Sequence, residues 1–91
     1  MFVVTRMRVP DGERDGFVTA VGELIGVLSA RPGFRDAELG SAPDEPGLWA
    51  LVTRWEGVGA YRRALSAAEV KITGAPVWVH AIDEAGAYVT D

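Results

Sequence analysis

The sequence predicts a single α+β domain over residues 1–91, with strand–helix–strand–strand–helix–strand order. Runs of β-branched and apolar residues mark strands, and helically spaced apolar positions separate them. Clusters of Pro, Gly and Asp stand between these runs as turns. This order is the ferredoxin-like arrangement, in which a four-stranded antiparallel sheet carries both helices on one face.

The first strand is predicted at residues 2–9, because this run is β-branched and apolar and stops at Pro10. Alternation places Arg6 and Arg8 on one face of the strand and Met7 on the other, without showing which face meets the helices. A helix is predicted from Glu13 to about Ala30, capped by Asp11, since apolar residues recur at 17, 21, 24 and 28.

A hairpin is predicted next, with strands at residues 34–42 and 48–55 around a turn at 43–47 that is dense in Pro, Asp and Gly. A second helix is predicted from Val58 to about Leu65, with a less regular continuation to residue 74. Pro76 is taken to open the last extended run, residues 77–82, which places Trp78 and His80 on a strand. Residues 83–86 interrupt this run and 87–90 close the chain.

Composition excludes several functional classes. The net charge of −4 argues against nucleic-acid binding. No apolar run approaches the roughly 20 residues of a membrane span, and the N-terminus has no signal-peptide pattern, so we expect no membrane partner and a cytoplasmic location. One His and no Cys leave mainly carboxylates as metal ligands. The pairs at 36/38 and 83/84 read as solvated charges, so we expect no metal site.

The sheet face opposite the helices would carry enough apolar surface to be unusual in a monomer. Packing against the sheet of a second copy would cover it. The sequence therefore predicts a homodimer.

Three motifs in order resemble the antibiotic biosynthesis monooxygenase family. They are Pro-Gly-Phe at 32–34, Trp-Glu at 55–56 and the helix entered after them with Ala60-Tyr61. The resemblance spans nearly the whole chain. It implies a dimeric α/β barrel and a pocket between each sheet and its own helices.

The resemblance also implies two chemistries. Some members oxidise polycyclic aromatic compounds with dioxygen and no cofactor, and they place a Trp and a Tyr at the spacing of Trp55 and Tyr61 in the pocket. Those members use an Asn where this chain has Leu51, and the chain contains no Asn. Haem-degrading members carry an Asn, a Trp and an axial His, where this chain has Arg6, Ala64 and Gly74. We therefore expect no haem and no other cofactor.

Candidate catalytic residues are Trp55, Tyr61, Arg6 and His80, and each has a structural alternative. Trp55 and Tyr61 are also explained as helix–sheet packing, which is the more frequent role of aromatic residues. Arg6 suits a phenolate or carboxylate if it faces the pocket, or an ion pair with Glu38, Glu56 or a partner chain. His80 suits a general base, or a rim or interface position.

Candidate substrate-binding residues follow from strand parity. Trp49, Leu51 and Thr53 share the parity of Trp55 on the third strand, so all four should point the same way. Trp78 is expected to line the pocket or to seal the dimer.

Three hypotheses about function follow. The first is a cofactor-independent monooxygenase acting on an aromatic or polyketide-like molecule. The second is a non-catalytic dimeric module that binds a small ligand or a protein partner, because the chain is poor in acid–base groups. The third, by analogy alone, is an isomerase or decarboxylase that uses His80 or an Arg.

Overall fold

The structure is a computed structural model and describes residues 1–90. The strands are β1 (Phe2–Arg8), β2 (Phe34–Ser41), β3 (Leu48–Trp55) and β4 (Ala87–Tyr88). The helices are α1 (Arg14–Ser29), α2 (Val58–Ser66) and α3 (Ala68–Trp78). This is an α+β ferredoxin-like fold, as the sequence predicted.

All neighbouring strands are antiparallel, and they lie in the order β2-β3-β1-β4. Val3 and Met7 on β1 are buried, whereas Arg6 and Arg8 are exposed, which confirms the predicted alternation. Met7 lies opposite Trp49 on β3, on the helix side of the sheet. Arg6 and Arg8 therefore belong to the opposite side, called the open face below.

Helix α1 packs through the predicted stripe of Phe17, Val21, Leu24 and Leu28, all of them buried. The predicted cap at Asp11 is wrong. Asp11 lies in a 3-10 turn, Asp11–Glu13, whose Glu13 N–H donates to the carbonyl of Pro10 at 2.9 Å. The α1 cap position is Glu13, which makes no capping bond through its side chain.

The largest correction concerns residues 77–82, where a strand was predicted. Helix α3 continues through Pro76 to Trp78, and Val79–His80 form the turn that follows. Val77 is fully buried and Val79 is 75% exposed, although a strand would place both on one face. Val70, Gly74 and Val77 instead bury at helical spacing, and this packing outweighs the hydrogen bond that Pro76 cannot donate.

The predicted Pro-Gly-Phe motif makes the tight turn between α1 and β2. Gly33 has φ +87°, and a Cβ there would lie 2.4 Å from Cβ of Ala60 on α2. The Gly33 carbonyl accepts a 2.7 Å hydrogen bond from Glu56 N–H at the end of β3. A glycine is thus needed both for the backbone angle and for the close approach of α2.

Candidate functional site

A cavity of about 470 Å³ lies between β1, helices α2 and α3, and the chain edge that leads into β4. This volume falls within the roughly 300–1,000 Å³ typical of small-molecule sites. Its walls are Val3, Val4, Thr5, Arg6, Tyr61, Leu65, Trp78, Ala81, Ile82, Glu84, Gly86 and Ala87.

The cavity owes its position to a bulge in the edge of the sheet. Ile82 N–H donates to the Arg6 carbonyl at 2.9 Å, and Val4 N–H donates to the Gly86 carbonyl at 2.8 Å. Residues 83–85 therefore lie opposite Thr5 alone and loop away from β1. Residues from both faces of β1 consequently line one cavity, and Glu84 on the bulge joins them.

Tyr61 on α2 forms the inner wall of the cavity. Its ring centroid lies 5.9 Å from that of Trp55. Burial raises the pKa of the Tyr61 phenol, so the hydroxyl stays protonated at neutral pH and can donate a hydrogen bond. That hydroxyl bonds to no other side chain among residues 1–90, which leaves it free for a ligand.

Trp55 lies behind the cavity rather than in it. Its side chain is buried, and its Nε1–H donates to Thr53 Oγ1 at 2.9 Å. Phe34 packs edge-on against it at 5.4 Å. Trp55, Thr53 and Leu51 line a void of about 30 Å³ that shares Tyr61 and Trp78 with the cavity.

Trp78 is brought to the cavity by α3 and not by a strand. Its indole covers Gly74 one turn earlier, where a Cβ would lie 2.1 Å from the ring. Gly74 holds the position that the family resemblance gives to the axial His of haem-degrading members. Because the indole fills that position, the site does not fit a haem.

Arg6 and Glu84 form a bidentate ion pair at the cavity wall. Arg6 Nε donates to Oε2 at 2.7 Å and Nη2 donates to Oε1 at 2.6 Å. The hydrogen bond from Arg6 lowers the pKa of the Glu84 carboxyl, and the same bond raises the pKa of Arg6. Sequence reasoning treated Glu84 as a solvated charge and missed this role. The sequence feature that points to this role is the position of Glu84 within residues 83–86, which interrupt the last apolar run.

The other two arginines on the open face also have carboxylate partners. Arg8 pairs with Glu45 at 2.7 Å, and Arg54 pairs with Asp36 at 2.7 Å. The expected alternative partners of Arg6, Glu38 and Glu56, are not the ones used. Among these three arginines, Arg6 is the one that lines the cavity.

His80 and Trp49 do not line the cavity. His80 follows α3, with its ring 5.7 Å from that of Phe17 and its Nε2 3.9 Å from Glu13 Oε1. Trp49 packs edge-on against Phe17 at 5.4 Å, and Arg14 lies 5.5 Å above its ring. The structure thus gathers Arg6, Tyr61 and Trp78, with Trp55, Thr53 and Leu51 behind them.

Two further properties bear on the kind of site. Within residues 1–90, no three side chains of His, Cys, Asp or Glu converge as a metal-binding group. No helix in that range has the length and apolar character needed to cross a bilayer.

Fold and cavity together describe a small α+β protein with a partly aromatic pocket between sheet and helices. The family model for antibiotic biosynthesis monooxygenases matches residues 1–73. The chain belongs to that family.

Solved structures give the same fold. SnoaB, described as a cofactor-independent oxygenase from Streptomyces nogalater, superposes with a TM-score of 0.86 at 20% identity, over 99% of this chain and 91% of that one. A conserved protein from Methanosarcina mazei superposes with a TM-score of 0.78 at 15% identity, over 94% and 84%. A search of curated proteins found no match.

Proposed function

We propose that this protein is a cofactor-independent monooxygenase that acts on a small aromatic molecule bearing a phenol or enol. The observation that carries the proposal is the cavity of about 470 Å³ walled by Tyr61 and Trp78. Family membership and the description of SnoaB as a cofactor-independent oxygenase support the reaction class.

Each wall residue has a role in this chemistry. Trp78 and Leu65 would hold the aromatic rings and exclude water, which strengthens polar contacts inside the cavity. The Tyr61 hydroxyl would donate a hydrogen bond to the substrate oxygen. Arg6, once its pair with Glu84 opens, would favour loss of the proton from that oxygen, because its positive charge stabilises the resulting anion.

The reaction balances without a bound cofactor. The anion gives electrons to dioxygen, and a ring CH₂ carbon is converted to a carbonyl. One oxygen atom enters the product, and the other leaves as water with the two hydrogens of that carbon. The protein supplies binding, orientation and charge, while the substrate supplies the electrons.

The test is oxygen consumption with anthrone- and quinol-type substrates. We expect Tyr61→Phe to lower kcat/KM by about 10- to 100-fold, the effect of losing a hydrogen bond to a charged group. Tyr88→Phe is the matched control, because Tyr88 lies on β4 and does not line the cavity. Unchanged turnover in Tyr61→Phe would remove Tyr61 from the mechanism.

Trp55 supports a second candidate, a non-catalytic module that binds a small ligand. Its Nε1–H is already bonded to Thr53 and its side chain is buried, so it offers no donor to a substrate. Trp55→Phe should therefore have little effect on ligand binding or oxygen uptake, and the two candidates are separated by measuring both properties in the unaltered protein. Binding of aromatic ligands without oxygen uptake by the unaltered protein would favour the module.

We also propose that the protein works as a homodimer through its open face. Phe2, Val4, Leu48, Ala50 and Val52 alternate onto that face, and Tyr88 extends it by stacking on Phe2 at 5.4 Å. These apolar side chains lie between the three arginine–carboxylate pairs. A second copy would cover them and add to the stability of a small core.

A further inference from the structure

The cavity is apolar on one side and charged on the other. Leu65, Trp78 and Val3 form the apolar side, while Arg6 and Glu84 bring the two formal charges among its wall residues. A neutral hydrocarbon would use the apolar side alone. The charged side therefore indicates that the ligand has a polar or charged group beside its apolar part.

The Arg6–Glu84 pair has a geometry that a ligand can copy. The guanidinium presents two N–H donors to the two oxygens of one carboxylate, at 2.7 and 2.6 Å. Any carboxylate or phenolate at this place can accept from the same donors. In a single copy the two side chains are 45% and 31% exposed, so water reaches the pair and breaking it there costs little free energy.

Glu84 is held at the cavity by its loop and by Arg6. It lies in residues 83–85, which loop away from β1 between two anchoring hydrogen bonds. Both side-chain hydrogen bonds to its carboxylate come from Arg6. A competing anion could thus displace the Glu84 side chain without breaking the bonds of Ile82 and Gly86 to β1.

We propose that the cavity selects apolar ring compounds carrying an anionic oxygen group, which binds Arg6 by displacing Glu84. This rests on the ligand-binding cavity of the proposed function. Arg6 is then a specificity-determining residue, and Glu84 is an internal competitor that sets the affinity for acids. Their substitutions must act in opposite directions on an acid and have little effect on a neutral analogue.

The experiment uses a matched pair of fluorescent tricyclic probes, anthracene-2-carboxylate and 2-anthracenemethanol, titrated into the full chain. We expect the acid to bind about 10-fold more tightly than the alcohol, as one partly exposed charge-assisted contact would give. The preference should shrink as salt is raised, because the contact is screened. This salt series needs no variant, so it tests the proposal even if a substitution impairs folding.

Two variants then test each partner. Arg6→Met keeps the apolar stem, and it should abolish the preference for the acid while changing the affinity for the alcohol less than about 2-fold. Glu84→Gln should raise the affinity for the acid by about 3-fold or more, because the competing carboxylate is gone. Arg54→Met and Asp36→Asn are the matched controls, since that pair is on the same face and away from the cavity. These control variants should change the affinity for neither probe.

Each outcome decides something. Equal binding of acid and alcohol to the unaltered protein would overturn this inference and leave the cavity proposal standing. Failure of both probes to bind would overturn both. A weaker affinity of Glu84→Gln for the acid would also overturn it, since Glu84 would then support Arg6 rather than compete with the ligand.

Discussion

Tyr61 is a cavity residue whose protonation state can be measured directly. The chain has two tyrosines, and burial raises the pKa of Tyr61 above its ordinary value of 10.0. A raised pKa in the folded state favours the neutral phenol. Its contribution to stability is present below the ordinary value and is lost as pH rises through the raised value.

We therefore expect the phenolate absorbance of Tyr61 to appear only above the ordinary pKa of a tyrosine. Tyr61→Phe should remove this late absorbance, and Tyr88→Phe should leave it. Absorbance of Tyr61 at the ordinary pKa, with the fold intact by circular dichroism, would contradict a desolvated Tyr61 and its assignment as a neutral donor.

The sequence could predict several individual residues and not others. Strand parity separated Arg6 from Met7 correctly, because side chains alternate along any regular strand. It could not show that Arg6 reaches a cavity lined from both faces of β1, since that depends on the bulge at residues 83–85. Trp49 has the same parity as Trp55 but lies at the other end of β3, beside α1 and away from the cavity.

At the level of elements, the turn between α1 and β2 makes a strong prediction. Gly33→Ala should destabilise the protein by about 2–4 kcal/mol, because it combines an unfavourable positive φ with overpacking against Ala60. The free energy of unfolding from urea titration measures this. A loss well below 1 kcal/mol would contradict the close approach.

A double substitution separates the two causes. Ala60→Gly alone should cost roughly 1 kcal/mol as a helix-interior glycine. Combined with Gly33→Ala, it removes the clash and leaves the backbone strain, so the pair should be less destabilised than the sum of the single changes. Strict additivity would mean that the Cβ atoms do not meet.

Helix α3 shows where element prediction from sequence stops. Pro76 and the β-branched residues around it resemble a strand after a break. The buried positions 70, 74 and 77 pack with their neighbours in the core, and only that tertiary packing identifies the segment as a helix. The extended character is not lost altogether, because Ala81 bridges to Met7 on β1.

On the scale of the whole molecule, the sheet has one face covered by helices and one open face. Helices cover one side of the sheet, and the core lies there. On the other side Val52 lies between Val4 and Glu38 in the strand register. The proposed homodimer therefore depends on this face, and the sequence indicated it through the apolar content of the sheet and through the family resemblance.

Val52→Lys tests the homodimer. In a single copy the new lysine lies opposite Glu38 and tolerates exposure, so the fold should persist. In a dimer joined through the open face, two lysines would be buried together at a cost of several kcal/mol, and the protein should sediment as a monomer at micromolar concentration.

Ile72→Lys is the control, because Ile72 is 75% exposed on α3 and away from this face, and it should leave the dimer intact. A monomeric unaltered protein, or a dimer that survives Val52→Lys and dissociates with Ile72→Lys, would show that the open face is not the interface.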